Sequence, residues 1–365
     1  MRLPELPIVN PSADKHASLS QHLAADDAPW QHAMRDAVTD VDELFELLDL
    51  PTSYRPAAHA SARLFGLRVP RGLVARMRPG DINDPLLRQV LPLAPEGESA
   101  PGFVIDAVGD TASASGDGLL HKYNGRALLI TTGACAVHCR YCFRRHFDYG
   151  GQHAGGSHTR AALARIAADS SITEVILSGG DPLSLSSARL AELGRALDAI
   201  AHVARIRIHT RTAIVLPERV NAALVDWVAQ RRAAVVVVVH ANHAHEISPP
   251  VSQAMAALKH AGATLLNQAV LLVGVNDSVR AQTELSTALF AAGVMPYYLH
   301  MLDRVRGTHH FELDEHQAVA LMQAVAAELP GYLVPRLARE EPGRRAKSVQ
   351  GIPALTTLGT NESER

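Results

Sequence analysis

Cys135, Cys139 and Cys142 follow a short apolar run with the spacing CxxxCxxC, and they are the only cysteines among 365 residues. A disulfide framework needs thiols in pairs and an oxidising compartment, so this cluster points to a bound metal in a reducing one. Zinc is one candidate, because it accepts a Cys3His shell and His138 and His146 lie close by. Iron and sulfide fit better. A four-iron cluster normally takes four thiolates, so three leave one iron open, as substrate chemistry at a metal requires. A trio that is merely buried is the bland third reading.

A second stretch with chemical content is Ser178, Gly179, Gly180 and Asp181. Glycines let a ligand approach the backbone closely, and free carbonyls at a strand end can accept from an ammonium. By itself the stretch reads equally well as a turn. Both stretches follow apolar runs, residues 127–132 and 174–178, which read as buried strands. Chemistry at the carboxyl ends of strands is the habit of barrel enzymes.

The same pattern recurs beyond them. Apolar, β-branched runs near 127–132, 174–178, 205–210, 234–240, 264–270 and 296–300 alternate with amphipathic stretches, which predicts parallel βα units. Val220, Leu224, Trp227 and Val228 share one helical face, as do Val251, Met255 and Leu258. Upstream, residues 1–35 read as a loose lead-in. Helical pieces follow from Asp40, through 57–64, 71–77 and 85–90, so residues 1–95 form an N-terminal helical region. Residues 96–118, rich in Gly, Ser, Ala and Asp, read as a linker with little to bury. Residues 119–330 would then be the barrel and 331–365 a C-terminal segment.

Composition narrows the partners. Lys plus Arg number 35 against 37 for Asp plus Glu, a net charge of -2, which argues against nucleic acid or an anionic membrane as partner. The longest apolar run, Ala233–Val239, is far too short to span a bilayer, and the first residues lack a signal-like core, so a soluble cytoplasmic protein is expected. A homo-oligomer is compatible with all of this.

CxxxCxxC followed by LSGGDPL resembles the radical S-adenosylmethionine (SAM) enzymes, and CRYCFRRHF resembles their lysine 2,3-aminomutase branch. HKYNGRALLI, LNQAVLLVGVND, GVMPYYLHMLD and YLVPRLARE are similar to the elongation factor P-type members of that branch. The resemblance runs from about residue 40 to residue 350. It implies an α/β fold, a partial (β/α)6 radical SAM barrel with an N-terminal helical domain. It also implies a [4Fe-4S] cluster on the three cysteines, SAM held at Ser178, Gly179, Gly180 and Asp181, and pyridoxal 5'-phosphate (PLP). The implied reaction turns L-lysine into (R)-β-lysine for modification of elongation factor P, alongside its lysyl-ligase-like partner.

Radical migration of an amino group needs a π-bond on nitrogen, which a PLP imine supplies, and the resting cofactor needs a lysine. The chain has four: Lys15, Lys122, Lys259 and Lys347. Lys15 lies in the lead-in and Lys259 near a helix end, where a cation is favoured structurally. By the resemblance Lys347 is the PLP lysine, although its approach, EPGRRAKS, keeps one glycine where the family has more. The resemblance also sets Lys122, Tyr123 and Arg126 at the PLP phosphate and Gln268 on the PLP side. Arg144 would take the substrate carboxylate, and Asp303 with Glu340 its far ammonium. Glu340 stands where the free-lysine enzymes have aspartate, and His300 where they have tyrosine. Two rivals stay open: an aminomutase acting on free lysine or another amino acid, and a non-catalytic zinc or redox-sensing protein.

Overall fold

The computed structural model describes residues 25–110, 118–149, 156–341, 343–344 and 346–350. Lys15 and the rest of the first 24 residues lie outside it. Residues 25–35 are helical (α1), followed by α2 (Val41–Leu47), α3 (Arg55–Leu64) and α4 (Arg71–Val74). Asp40 caps α2 as its sequence predicts, accepting from Glu43 N at 2.9 Å.

α1 departs from the loose lead-in expected there. Its Asp27 is buried and accepts from Ser187 N at 2.8 Å and Ser187 Oγ at 2.6 Å, while Arg219 covers the buried Trp30 ring at 4.7 Å. An anchor made of one carboxylate and one indole leaves no periodic trace. α2–α4 build an apolar cluster around Leu44, Phe45, Leu73 and Leu87, and this cluster takes in Ala136 and Val137 from the cysteine loop.

One nine-stranded sheet follows in strictly sequential order: β1 (Leu119–Tyr123), β2 (Arg126–Thr132), β3 (Glu174–Gly179), β4 (Arg205–Thr210), β5 (Ala234–Val239), β6 (Thr264–Val270), β7 (Met295–His300), β8 (Arg336–Arg339) and β9 (Ser348–Val349). β2 to β8 pair in parallel, and β1 and β9 flank them antiparallel. Each strand pairs only with its chain neighbours, so the sheet is open, as a partial barrel requires. The six expected strands are β2 to β7, and β8 adds a seventh parallel strand.

Outside the sheet lie α5 (Gly156–Ala168), α6 (Ser187–Asp198), α7 (Thr212–Val215), α8 (Ala222–Ala229), α9 (Pro249–His260), α10 (Val279–Ala291) and α11 (Glu315–Glu328). Leu224, Trp227 and Val228 of α8 and Val251, Met255 and Leu258 of α9 join the main core, with Val220 packed on it. That is the face the helical spacing predicts.

On the other face, period-two alternation selects the side chains of a concave surface. β4 buries Ile206, Ile208 and Thr210 and turns Arg207 and His209 the other way; β6 buries Leu265, Asn267 and Ala269 and turns out Gln268 and Val270. In the stretch expected to be a linker with little to bury, Glu96, Val108 and Asp110 are buried, because the two carboxylates are paired with arginines. No helix among the described residues is long and apolar enough to cross a membrane.

Candidate active site

The concave face encloses a cavity of about 530 Å³, and every site residue singled out from the sequence lines it. Its mouth is built from the segments that leave the strands at their carboxyl ends, the cysteine loop after β2 first among them.

That loop is pinned between its thiols. Ala136 and Val137 enter the helical core; His138 Nδ1 meets Gly66 O at 2.9 Å; Arg140 is fully buried against Glu96; Tyr141 Oη accepts from Asn242 Nδ2 at 2.7 Å. With the loop held at these points, the three cysteines line the cavity. Burial raises all three thiols, Cys142 to about 11, so binding a metal as thiolates means releasing their protons.

Neither histidine weighed as a zinc ligand is committed to the thiols: His138 is held at Gly66 and His146 Nε2 lies 3.2 Å from Arg306 O. Among the described residues no three His, Cys, Asp or Glu side chains close around the position of a single ion. Three soft thiols would hold an iron-sulfur cluster.

The glycine stretch packs on this loop. Gly180 N donates to Thr132 O at 2.7 Å and Asp181 N to Ala134 O at 2.8 Å. A Cβ on Gly180 would stand 2.4 Å from Ala134 O, and one on Gly179, at φ +125°, 2.5 Å from Thr132 O. The glycines are thus required by backbone approach within the protein itself. The Asp181 carboxylate is occupied: it accepts from Thr210 Oγ1, from Leu183 N at 3.0 Å, from Arg211 N at 2.7 Å and from Thr212 N at 2.8 Å, tying the end of β3 to that of β4.

Asp110, unmarked in the sequence, organises the cations. It receives Lys122 Nζ at 2.5 Å and Arg144 Nε at 2.7 Å, and Arg144 Nη1 reaches Ser178 Oγ at 3.0 Å. Burial works against its charge, yet Arg144 and Lys122 outweigh burial and hold its carboxyl below the usual range. Arg126 stacks over the Tyr123 ring at 4.5 Å.

Lys347, which also lines the cavity, sits just before β9. Its Nζ donates to Glu340 Oε2 at 2.7 Å, and Tyr123 Oη donates to Oε1 at 2.5 Å. Burial opposes the charge of Glu340 also, and Lys347 overcomes it. Among the described residues Asp303 has no such bond: burial lifts it to about 7, Lys347 offsets part of the rise and Glu340 adds to it. His209, His240 and His300 are pushed down by burial, His240 to about 3, so they are neutral imidazoles in the cavity wall at physiological pH. His209, His240 and Asp110 are isolated residues in strand or glycine-rich context, and only the period-two face of β4 hinted at His209.

A family described as a 4Fe-4S single cluster domain matches residues 116–225. Over 320 residues the chain is 47% identical to an L-lysine 2,3-aminomutase from Escherichia coli (strain K12), covering 87% of this chain and 93% of that one. The chain belongs to the L-lysine 2,3-aminomutase family, whose members are isomerases. L-lysine 2,3-aminomutases from Haemophilus influenzae and Clostridium subterminale are 40% and 31% identical, over 95% and 78% of their lengths. A solved radical SAM methyltransferase from Sphaerobacter thermophilus aligns at TM-score 0.41 and 17% identity over 60% of this chain and 68% of its own, too slight a likeness to bear on the fold. For a 2,3-aminomutase with this cluster domain, the implied cofactors are a [4Fe-4S] cluster, SAM and PLP. The donors present fit that set, since three thiols, Lys347, Lys122 and Arg126 all line the one cavity.

Proposed function

We propose that this protein is a cytoplasmic radical SAM, PLP-dependent lysine 2,3-aminomutase that converts L-lysine to (R)-β-lysine for modification of elongation factor P. The observation that carries the reading is the shared cavity, which Cys135, Cys139 and Cys142 line together with Lys347, Glu340 and Asp303. When bound, the cluster and SAM supply a hydrogen-abstracting radical and PLP an electron sink for the migrating nitrogen.

This chain's own residues do the positioning. The cysteine loop, held at His138, Arg140 and Tyr141, fixes the iron centre. Lys347 carries the PLP aldehyde; Lys122 and Arg126, with Tyr123, receive the phosphate as paired cations with a hydroxyl, and Gln268 lies alongside. Arg144, oriented by Asp110 and Ser178, presents its planar fork to the substrate carboxylate. Asp303 and Glu340 receive the distal ammonium, which selects chain length as well as charge. Glu340 also accepts from Lys347 Nζ at 2.7 Å, so this carboxylate stands beside the lysine that would hold PLP. The backbone of Ser178–Asp181 offers the surface for SAM, with the Asp181 side chain acting behind it as a clamp.

The elongation factor P role rests on the resemblance of HKYNGRALLI, LNQAVLLVGVND, GVMPYYLHMLD and YLVPRLARE to the elongation factor P-type members. The test is anaerobic reconstitution with iron, sulfide, PLP, SAM and a strong reductant, scored for β-lysine from L-lysine. Elongation factor P and its ligase are then added and its mass followed. Turnover of lysine is expected, with Lys347→Ala inactive and lacking the PLP imine absorption. A colourless protein carrying stoichiometric zinc would sink the reading.

A further inference from the structure

Beyond the cavity, a buried charge cluster in contact with the cysteine loop is formed by Glu96 with Arg140 and Arg145. Glu96 Oε1 accepts from Leu93 N at 3.0 Å and Arg140 Nε at 2.8 Å; Oε2 accepts from Arg140 Nη2 at 2.5 Å and Arg145 Nη2 at 2.7 Å. The side chains of all three are at most 1% exposed. Arg140 Nη1 also reaches Phe65 O at 2.6 Å, and Arg145 Nη1 reaches Arg140 O and Gly307 O, each at 3.0 Å. The Phe65 ring lies 5.0 and 4.8 Å from the two guanidinium carbons. One carboxylate therefore gathers the end of α3, the segment before residue 96, the cysteine loop and the loop after β7.

The charges do not balance. Among the described residues two guanidinium groups share one carboxylate, and Arg145 Nε is buried with no partner. Burying an uncompensated cation is costly, so its persistence here needs a counter-charge or a function. Arg140 follows Cys139 directly and bears on its thiol, as Arg145 bears on that of Cys142. A thiolate-ligated iron-sulfur cube is anionic and becomes more so on reduction, and buried charge around such a centre sets its potential.

We propose that Glu96, Arg140 and Arg145 form a positioning node that seats the cysteine loop and, through its excess positive charge, raises the reduction potential of the cluster bound there. The potential half rests on the cluster assignment above; the seating half does not. Neutralising Glu96 leaves both arginines uncompensated and favours the reduced, more negative cube. Neutralising Arg145 removes the excess and disfavours it. A scaffold without electrostatic effect has no reason to give opposite signs.

The experiment uses Glu96→Gln and Arg145→Gln in the full chain, loaded anaerobically with iron and sulfide, with iron content and EPR-monitored midpoint potential as readouts. The potential should rise in Glu96→Gln and fall in Arg145→Gln, each by about a tenfold change in the reduction equilibrium, about 59 mV for one electron. Equal potentials, or shifts of the same sign, overturn the charge role. In metal-free protein, alkylation of Cys139 and Cys142 followed by mass spectrometry should be about tenfold faster in Glu96→Gln, with Glu96→Asp restoring part of the protection. Wild-type rates in Glu96→Gln overturn the seating role, whether or not a cluster binds.

Discussion

Asp303 and Glu340 face the same lysine yet titrate in opposite directions. Glu340 has Lys347 and Tyr123 within hydrogen-bond reach and stays charged, while Asp303, without such a partner among the described residues, is lifted by burial to about 7. A carboxyl must be ionised to take an ammonium, so the affinity for lysine should fall as pH drops through about 7. The KM for lysine is expected to rise about threefold to tenfold between pH 8 and pH 6, and Asp303→Asn should have a high KM that does not vary over that interval. The stability sign is the reverse. A carboxyl whose folded pKa is raised stabilises the fold when protonated, and that contribution disappears as pH rises through the folded value. Empty Asp303→Asn should therefore exceed wild type by on the order of 1–2 kcal/mol above pH 7 and match it near pH 4, measured by urea unfolding. Rarity made part of this site legible: three cysteines and four lysines leave few choices. Asp110 and Glu96 were illegible because a lone acid in a Gly- or Pro-rich stretch has no period, and its arginine partners stand 34 to 49 positions away.

Strands declared themselves where they are β-branched and central, as in AVVVVV of β5 and the wholly buried EVILSG of β3. β1 (LLHKY) and β8 (RLAR) did not, since short strands that mix charge with apolar residues look like loops until a neighbour pairs with them. β8 matters most, because it carries Glu340 at its end and the chain returns from there through Lys347 into β9. At the other end of the cavity, the junction of β3 with the cysteine loop depends on two glycines. Gly180→Ala puts a methyl 2.4 Å from Ala134 O and 2.7 Å from Gly133 C, backbone atoms that cannot turn aside. The cost should be about 2–4 kcal/mol, with the loop displaced and iron uptake lost. Gly72→Ala, in α4 with nothing within 4 Å, is the control and should be neutral or slightly stabilising. Full iron content and a wild-type urea midpoint in Gly180→Ala would show that the glycines are not needed for packing.

At the scale of the molecule, the N-terminal helices and the barrel are joined by a buried polar network as well as by apolar contact. Arg211, at the end of β4, donates through Nη2 to Gln89 Oε1 at 2.8 Å and to Glu246 Oε2 at 3.1 Å. Gln89 lies in the helical region, donates from Nε2 to Glu246 Oε1 at 3.2 Å and accepts from Asn242 Nδ2 at 2.9 Å; Asn242 in turn reaches Tyr141 in the cysteine loop. Arg76 of the helical region spans to Glu246 O at 2.8 Å and Ile214 O at 3.1 Å. Glu246, Gln89 and Asn242 are fully buried, so Glu246 neutralises Arg211 where water cannot. Removing one partner of a buried ion pair strands the other, and Glu246→Ala should cost about 3–5 kcal/mol, more than Glu246→Gln, which keeps acceptors for Asn242 N and His243 N. Because the network reaches Tyr141, the loss should appear in two places at once: a lower urea midpoint, and faster alkylation of Cys139 and Cys142 in the folded protein. Glu246→Ala with a wild-type midpoint would mean that the helical region and the barrel are held by their apolar contacts alone. A lowered midpoint with unchanged alkylation would mean that the network joins the two without bearing on the cysteine loop.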